Sequence, residues 1–109
     1  MSVITTHVLD TILGKPAAGV SVRLEKQEGN FWSLVSESAT DADGRCRDLA
    51  LNVPEGVYRL TFATGAYLGQ SNLACIYPEI SITFICDGND HYHLPLLLSA
   101  NSYTTYRGS

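Results

Sequence analysis

Apolar and polar side chains alternate along four stretches of this chain, and this period of two constrains the fold more than any other feature. Such a period places the apolar side chains on one face of a β-strand and the polar ones on the other. The alternating apolar positions are Val20, Val22 and Leu24; Tyr58, Leu60 and Phe62; Ile80, Ile82 and Phe84; and Tyr92, Leu94, Leu96 and Leu98. Several short strands with one polar face predict an all-β, antiparallel β-sandwich.

Residues typical of tight turns separate these stretches. The turn sequences are Gly14-Lys15-Pro16, Glu28-Gly29-Asn30, Asp43-Gly44, Pro54-Glu55-Gly56 and Asp87-Gly88-Asn89-Asp90. We expect one helix, around Gly65 to Leu73, and its glycines predict that it is short. At 109 residues, the chain has the length of one domain, which we expect to span positions 1–109.

Charge and composition exclude several classes of protein. The net charge of −4 and the absence of a Lys/Arg cluster argue against nucleic-acid binding. No apolar run is long enough to span a membrane, and the first residues lack the basic and apolar segments of a secretory signal. Three cysteines without a CxxC pair suggest a reducing compartment. We therefore expect a cytoplasmic protein, or a periplasmic or peroxisomal one if a targeting segment has been removed.

The stretch 91–99 has a mixed outer face, which predicts an oligomer. If the alternating apolar residues of this strand fill the core, His93 and Leu97 point outward together. A face that combines these side chains is often covered by another subunit. Pro95 lacks a backbone N–H, so we expect a sheet edge or a bulge at this position.

Three residues are candidates for chemistry, each with an alternative that remains open. His7 and His93 are either partly buried strand residues or acid–base groups, since histidine titrates nearest neutral pH. His91 and His93 share a face and could approach one metal, but a zinc site needs further ligands that the sequence does not supply. Arg45 follows Asp43-Gly44 and is either paired with a nearby aspartate or free to hold an anion.

The C-terminal segment Tyr103-Thr104-Thr105-Tyr106-Arg107-Gly108-Ser109 is unusually polar and aromatic. It follows an apolar strand without a linker, so we expect it to form a final strand. Its tyrosines, its arginine and its terminal carboxylate are groups that recognise small, flat, charged ligands.

Four motifs in this order resemble those of the 5-hydroxyisourate hydrolases, the transthyretin-related enzymes of urate breakdown. They are Thr6-His7-Val8-Leu9-Asp10 with Gly14-Lys15-Pro16-Ala17, Asp43-Gly44-Arg45-Cys46, His91-Tyr92-His93-Leu94-Pro95-Leu96-Leu97-Leu98-Ser99, and Tyr103–Ser109. Transthyretin itself lacks the terminal Tyr-Arg-Gly-Ser, so the motifs favour the enzyme. Ala100-Asn101 departs from the family pattern of a proline followed by an aromatic residue.

The resemblance implies a transthyretin-like sandwich of two four-stranded sheets with one short helix, assembled as a homotetramer with active sites between dimers. It implies hydrolysis of 5-hydroxyisourate, a small molecule, without metal or other cofactor. His7, Arg45 and His93 would be catalytic, and the substrate-binding residues would be His7, Arg45, Tyr106, Arg107, Gly108 and Ser109.

Two other functions remain as alternatives. One is a non-enzymatic, transthyretin-like carrier of a small aromatic ligand. The other is a structural sandwich domain of the kind attached to larger enzymes, which the polar C-terminal segment makes less attractive.

Overall fold

The computed structural model describes residues 1–70 and 76–108, and strands dominate this part of the chain. The strands are β1 (Ser2–Asp10), β2 (Lys15–Pro16), β3 (Ser21–Glu28), β4 (Phe31–Ala39), β5 (Arg45–Val53), β6 (Gly56–Phe62), β7 (Ile80–Cys86), β8 (His91–Leu98) and β9 (Tyr103–Thr105). The helix α1 spans Thr64–Gly69. The predicted all-β sandwich with one short helix is confirmed.

The strands form two sheets. In sheet A the order is β2, β1, β8 and β9, and β5 pairs with the free part of β1. In sheet B the order is β4, β3, β6 and β7. Sheet A therefore has a fifth strand beyond the four expected, because the two-residue β2 joins the edge of β1.

One pair of strands departs from the antiparallel expectation. β1 and β8 run parallel, and Val3 lies opposite His91 at one end while Asp10 lies opposite Leu98 at the other. Parallel strands require a long connection, and here most of the molecule lies between them in sequence. This pairing places β1 next to β8, the strand that carries His91 and His93.

The core lies between the sheets and is built by the predicted alternation. Among the predicted strand positions, those buried below one-tenth exposure are Val20, Val22, Leu24, Tyr58, Leu60, Phe62, Ile80, Tyr92, Leu94, Leu96 and Leu98. β1 adds Ile4 and Val8, which are fully buried. Burial of this contiguous apolar surface is the main stabilising contribution to the fold.

The helix begins one residue before the expected position and ends at Gly69; the expected end, Leu73, lies outside the described residues. Gly65 is needed there because a Cβ at this position would lie 2.8 Å from the Pro78 carbonyl oxygen. Its own N–H donates to that oxygen at 3.0 Å. Helix α1 is thereby held against the segment that leads into β7.

The expectation of a sheet edge at Pro95 is wrong, because β8 lies between β1 and β9. Its pairing with the C-terminal segment is nevertheless interrupted there. Leu96 pairs with Thr105 and His93 pairs with Gly108, but no pairing joins the positions between them. The missing N–H of proline accounts for this gap.

Cys46 and Cys86 are buried free thiols, whereas Cys75 lies outside the described residues. Within residues 1–70 and 76–108, no helix is long and apolar enough to cross a membrane.

Candidate active site

A tight turn places Arg45 beside the first strand. The Asp41 carboxylate accepts hydrogen bonds from the N–H groups of Asp43 (2.9 Å) and Arg45 (3.0 Å). The N–H of Arg45 is the main cause that lowers the pKa of Asp41. Gly44 has a φ of +77°, and a Cβ there would overlap the Val8 carbonyl oxygen. Only glycine therefore fits at this point of the turn.

Arg45 lies directly opposite His7 in the pairing of β1 with β5. The ion pair to Asp41 is formed by Arg47 instead, at 3.7 Å. In the part of the chain that the structure describes, Arg45 has no ion pair with a carboxylate. An ion pair of Arg45 with a turn aspartate is thus not observed among the described residues, although the charge of Arg45 helps to lower the pKa of Asp41. Without such an ion pair, the guanidinium can approach an anion.

His7 is oriented by a backbone carbonyl. Its Nε2 lies 2.8 Å from the Asp43 carbonyl oxygen. A carbonyl oxygen only accepts hydrogen bonds, so Nε2 carries the proton that is donated. In the neutral imidazole the acceptor nitrogen of His7 is therefore Nδ1.

His93 is held by a hydroxyl group. Thr5 lies opposite His93 in the parallel pairing of β1 with β8. Its Oγ1 is 2.8 Å from Nδ1 of His93 and 2.9 Å from Nε2 of His91. The two imidazole rings lie edge to face, with centroids 6.3 Å apart. One threonine thus positions both histidines of β8.

An open cavity of about 360 Å³ lies on the outer face of sheet A. This volume is within the range of about 300–1,000 Å³ found for small-molecule sites. The residues that line it are Thr5, Thr6, Arg45, Arg47, His91 and His93. Two arginines and two histidines meet here without a lining carboxylate, so the cavity favours an anionic or electron-rich ligand.

Burial and positive charge both act on His93. Burial is the main cause that lowers the pKa of His93 below its ordinary value of 6.5, followed by electrostatic interactions with Arg45, His7 and His91. His93 is therefore neutral at neutral pH, the state in which it can accept a proton.

The C-terminal segment closes against His93. The Gly108 N–H donates to the His93 carbonyl oxygen at 2.7 Å. A Cβ on Gly108 would lie 2.8 Å from Cδ2 of the His93 ring, so any larger residue at this contact would displace the ring or the segment. This segment is the predicted final strand, and β9 together with the Gly108 bridge confirms that expectation.

Arg107 is engaged elsewhere. Its guanidinium lies 4.1 Å from the centroid of the Tyr92 ring, donates to the His91 carbonyl oxygen at 3.3 Å and lies 3.8 Å from the Asp90 carboxylate. Tyr106 is 54% exposed, and Ser109 lies outside the described residues. Neither Tyr106 nor Arg107 lines the cavity in this single chain.

The structure brings Arg45 and His93 to one cavity, with His7 paired to Arg45 just outside its lining. Within the described residues, no group of three His, Cys, Asp or Glu side chains is placed to hold a metal ion. Sequence reasoning missed Arg47 and Thr5. Arg47 follows Arg45 at strand spacing, a signal that was available, whereas a threonine carries no chemical signal of its own.

Comparison with known proteins agrees with this geometry. The model of the HIUase/Transthyretin family matches residues 4–108. A 5-hydroxyisourate hydrolase from Caulobacter vibrioides is 44% identical, with full coverage of both chains. The structure of Klebsiella pneumoniae 5-hydroxyisourate hydrolase superposes with a TM-score of 0.90 at 37% identity and full coverage of both chains.

Sparus aurata transthyretin has a similar fold, with a TM-score of 0.92, 31% identity and coverage of 96% of this chain and 95% of that one. The sandwich is therefore transthyretin-like, as the resemblance implied. The match of the family model over nearly the whole chain, together with these relatives, shows that the chain belongs to the HIUase/Transthyretin family.

Proposed function

We propose that this protein hydrolyses 5-hydroxyisourate to 2-oxo-4-hydroxy-4-carboxy-5-ureidoimidazoline in urate degradation. The observation that carries the proposal is the cavity in which Arg45 and Arg47 face His91 and His93 without a lining carboxylate. Such a cavity suits a flat, oxidised purine with anionic character. The relatives that are named as 5-hydroxyisourate hydrolases support the same reaction.

The reaction adds water across a ring amide bond. A proton leaves the attacking water, negative charge develops on the carbonyl oxygen, and the leaving nitrogen gains a proton as the ring opens. His7 and His93 are the groups that move these protons, and a positioned base of this kind contributes roughly 10²–10⁴-fold. The available guanidinium of Arg45 holds the substrate anion and the developing charge.

The C-terminal residues complete the pocket in this proposal. Gly108 already contacts the His93 ring, and Tyr106, Arg107 and Ser109 shape the rest of the substrate site. Arg107 acts there through the position it gives the segment, since its guanidinium is held by Tyr92 and Asp90. No metal or other cofactor is part of the mechanism.

The working assembly is a homotetramer, a dimer of dimers, built from single domains that span positions 1–109. The half-buried His93 and Leu97 on the outer face of β8 support a covering subunit there. Light scattering at micromolar concentration tests this assembly, and a monomer would contradict it. The buried free thiols of Cys46 and Cys86 are in keeping with a reducing cytoplasm.

The test follows the ultraviolet decay of 5-hydroxyisourate, made freshly from urate with urate oxidase, with and without the protein. We expect faster decay with the wild type and loss of the acceleration in Arg45→Ala. Arg23→Ala is the matched control, because Arg23 is an exposed arginine of sheet B in an ion pair with Glu25. An unaccelerated decay by folded wild type would favour a carrier of the transthyretin kind, which the shared fold permits.

A further inference from the structure

The Thr5 hydroxyl lies between two imidazoles, at 2.8 Å from Nδ1 of His93 and 2.9 Å from Nε2 of His91. A hydroxyl group has one proton to donate. If the Thr5 hydroxyl donates its proton to one histidine ring, its oxygen must accept an N–H from the other ring to make the second hydrogen bond. The tautomers of His91 and His93 are therefore coupled.

Two arrangements are possible when the Thr5 hydroxyl donates its proton to one of the two rings. In one, Nε2–H of His91 donates to Thr5, and Thr5 donates to Nδ1 of His93, which then carries its proton on Nε2. In the other, Nδ1–H of His93 donates to Thr5, and Thr5 donates to Nε2 of His91. Of these two, only the second leaves Nε2 of His93 unprotonated while Thr5 donates to His91, and within the described residues that nitrogen has no hydrogen-bond partner.

We propose that Thr5 and His91 are positioning residues that form a proton relay behind His93, so that His93 is the base that activates water. This inference rests on the proposed hydrolase function and deepens it. His7 is not part of this relay, because it is not among the described residues that line the cavity and its Nε2–H is donated to the Asp43 carbonyl.

The proton balance of the relay is simple. Nε2 of His93 takes a proton from the attacking water, and the ring becomes an imidazolium. Its Nδ1 proton passes to Thr5 as the Thr5 proton passes to Nε2 of His91. The excess proton then lies on His91, and His93 is neutral with its proton on Nε2. As Nε2 of His93 donates that proton to the leaving nitrogen of the substrate, the excess proton returns from His91 through Thr5 to Nδ1 of His93, and both rings regain their starting tautomers.

The direction of transfer follows from burial and charge. His93 is half-buried, whereas His91 is exposed to solvent, and a charged group is better solvated at the exposed position. The other charged or titratable groups around His93 are Arg45 and Arg47 from β5 and His7 from β1, while Arg107 from the C-terminal segment reaches the His91 carbonyl. Of the influences on His93, burial, Arg45, His7 and His91 lower its pKa and so disfavour a lasting positive charge on its ring.

Nitrogen NMR of the imidazole rings tests the relay without any need for activity. The chain has only three histidines, so three ring systems appear in a histidine-labelled sample and single variants assign them. In the wild type at pH 8 we expect His93 with its proton on Nδ1. In Thr5→Val, which keeps the shape and removes the hydroxyl, we expect this preference to be lost, and Thr5→Ser should restore it.

A matched control is Thr61→Val, which removes a threonine hydroxyl from sheet B, where it is hydrogen-bonded to Ser81 at 3.1 Å. It should leave the His93 tautomer unchanged. Wild-type His93 protonated on Nε2, or an unchanged tautomer in Thr5→Val, would overturn the relay.

Kinetics give a second readout. We expect Thr5→Val to lower kcat by about tenfold with little change in KM, a fraction of the roughly 10²–10⁴ contributed by a positioned base. Since His91 acts through Thr5, adding His91→Phe to Thr5→Val should cost little more, so that the two effects are non-additive. Additive losses would overturn the relay, whereas an inactive wild type with the expected tautomer would overturn the hydrolase proposal.

Discussion

Two arginines, Arg45 on sheet A and Arg59 on sheet B, show how differently the outer faces of the two sheets are used. Arg59 donates two hydrogen bonds to the Glu25 carboxylate, at 2.9 and 3.1 Å, and its guanidinium lies 4.2 Å from the centroid of the Trp32 ring. Arg45 has neither kind of partner among the described residues. The same side chain thus stabilises the fold on one sheet and remains available to a ligand on the other.

Among variants that distinguish the outer face of sheet A from that of sheet B, we expect His93→Asn to have the largest effect on turnover. Loss of the base should lower kcat by roughly 10²–10⁴-fold, while thermal unfolding shifts little because His93 is half-buried at the rim of the cavity. Stopped-flow assays and differential scanning calorimetry measure the two quantities. Wild-type turnover in this variant would remove His93 from the reaction.

Arg45→Ala and Arg59→Ala sharpen the comparison directly. Arg45→Ala should lower kcat by about 10²–10³-fold, the cost of losing an electrostatic donor, with little loss of stability. Arg59→Ala should leave turnover unchanged but destabilise the fold by about 1–3 kcal/mol, since the Glu25 carboxylate loses both hydrogen bonds and keeps only the longer ion pair with Arg23, at 3.6 Å. Glu25 is 13% exposed. Equal effects of the two variants on turnover would break the distinction between the sheets.

Gly108→Ala should disturb sheet A more gently. The new methyl group would lie 2.8 Å from the His93 ring, and a displaced catalytic group loses rate steeply, here by about tenfold or more. Gly69→Ala is the matched control, because nothing lies within 4 Å of a Cβ there. If Gly108→Ala is fully active, the C-terminal segment does not position His93.

The smallest expected effect is the change of kcat/KM with pH that the lowered pKa of His93 causes. Because burial and then Arg45 lower the pKa of His93, kcat/KM should stay high below pH 6.5 and fall only as pH drops through the lowered value. An NMR titration of Arg45→Ala should show the His93 pKa moving back toward 6.5. A wild-type pKa above 6.5 would contradict the cause assigned here.

The lowered pKa of His93 also determines the direction in which the stability of the fold changes with pH. Below pH 6.5 the unfolded chain binds a proton at His93 more readily than the folded one. The contribution of His93 to stability is therefore complete above pH 6.5 and declines as the pH falls through the folded-state pKa.

The alternation of apolar residues was sufficient to predict β3, β6, β7 and β8, because buried positions such as Leu60 and Leu96 face the core through a local, two-residue rule. The parallel pairing of β1 with β8 could not be predicted in this way, since it depends on where distant strands meet. The contacts of Thr5 with the two histidines of β8 could not be predicted for the same reason. Its partners, His91 and His93, lie 86 and 88 residues away in sequence.

The partners of Arg45 could not be predicted either, although in this case all the candidates are close in sequence. Local spacing allowed a pairing with Asp41 or with Asp43 and did not predict that Arg47 forms the ion pair with Asp41 instead. The choice depends on the turn, in which Asp41 binds the backbone of Arg45 rather than its side chain.

The parallel pairing of β1 with β8 also means that two neighbouring strands are synthesised far apart in time. β1 leaves the ribosome first, but the neighbour it needs is made after nearly all of the intervening chain. Contacts of such long range form slowly, and a nascent chain without β8 leaves one edge of β1 unpaired, a site for misassembly. A chain that ends before β8 would also lack His91 and His93, two of the residues that line the cavity.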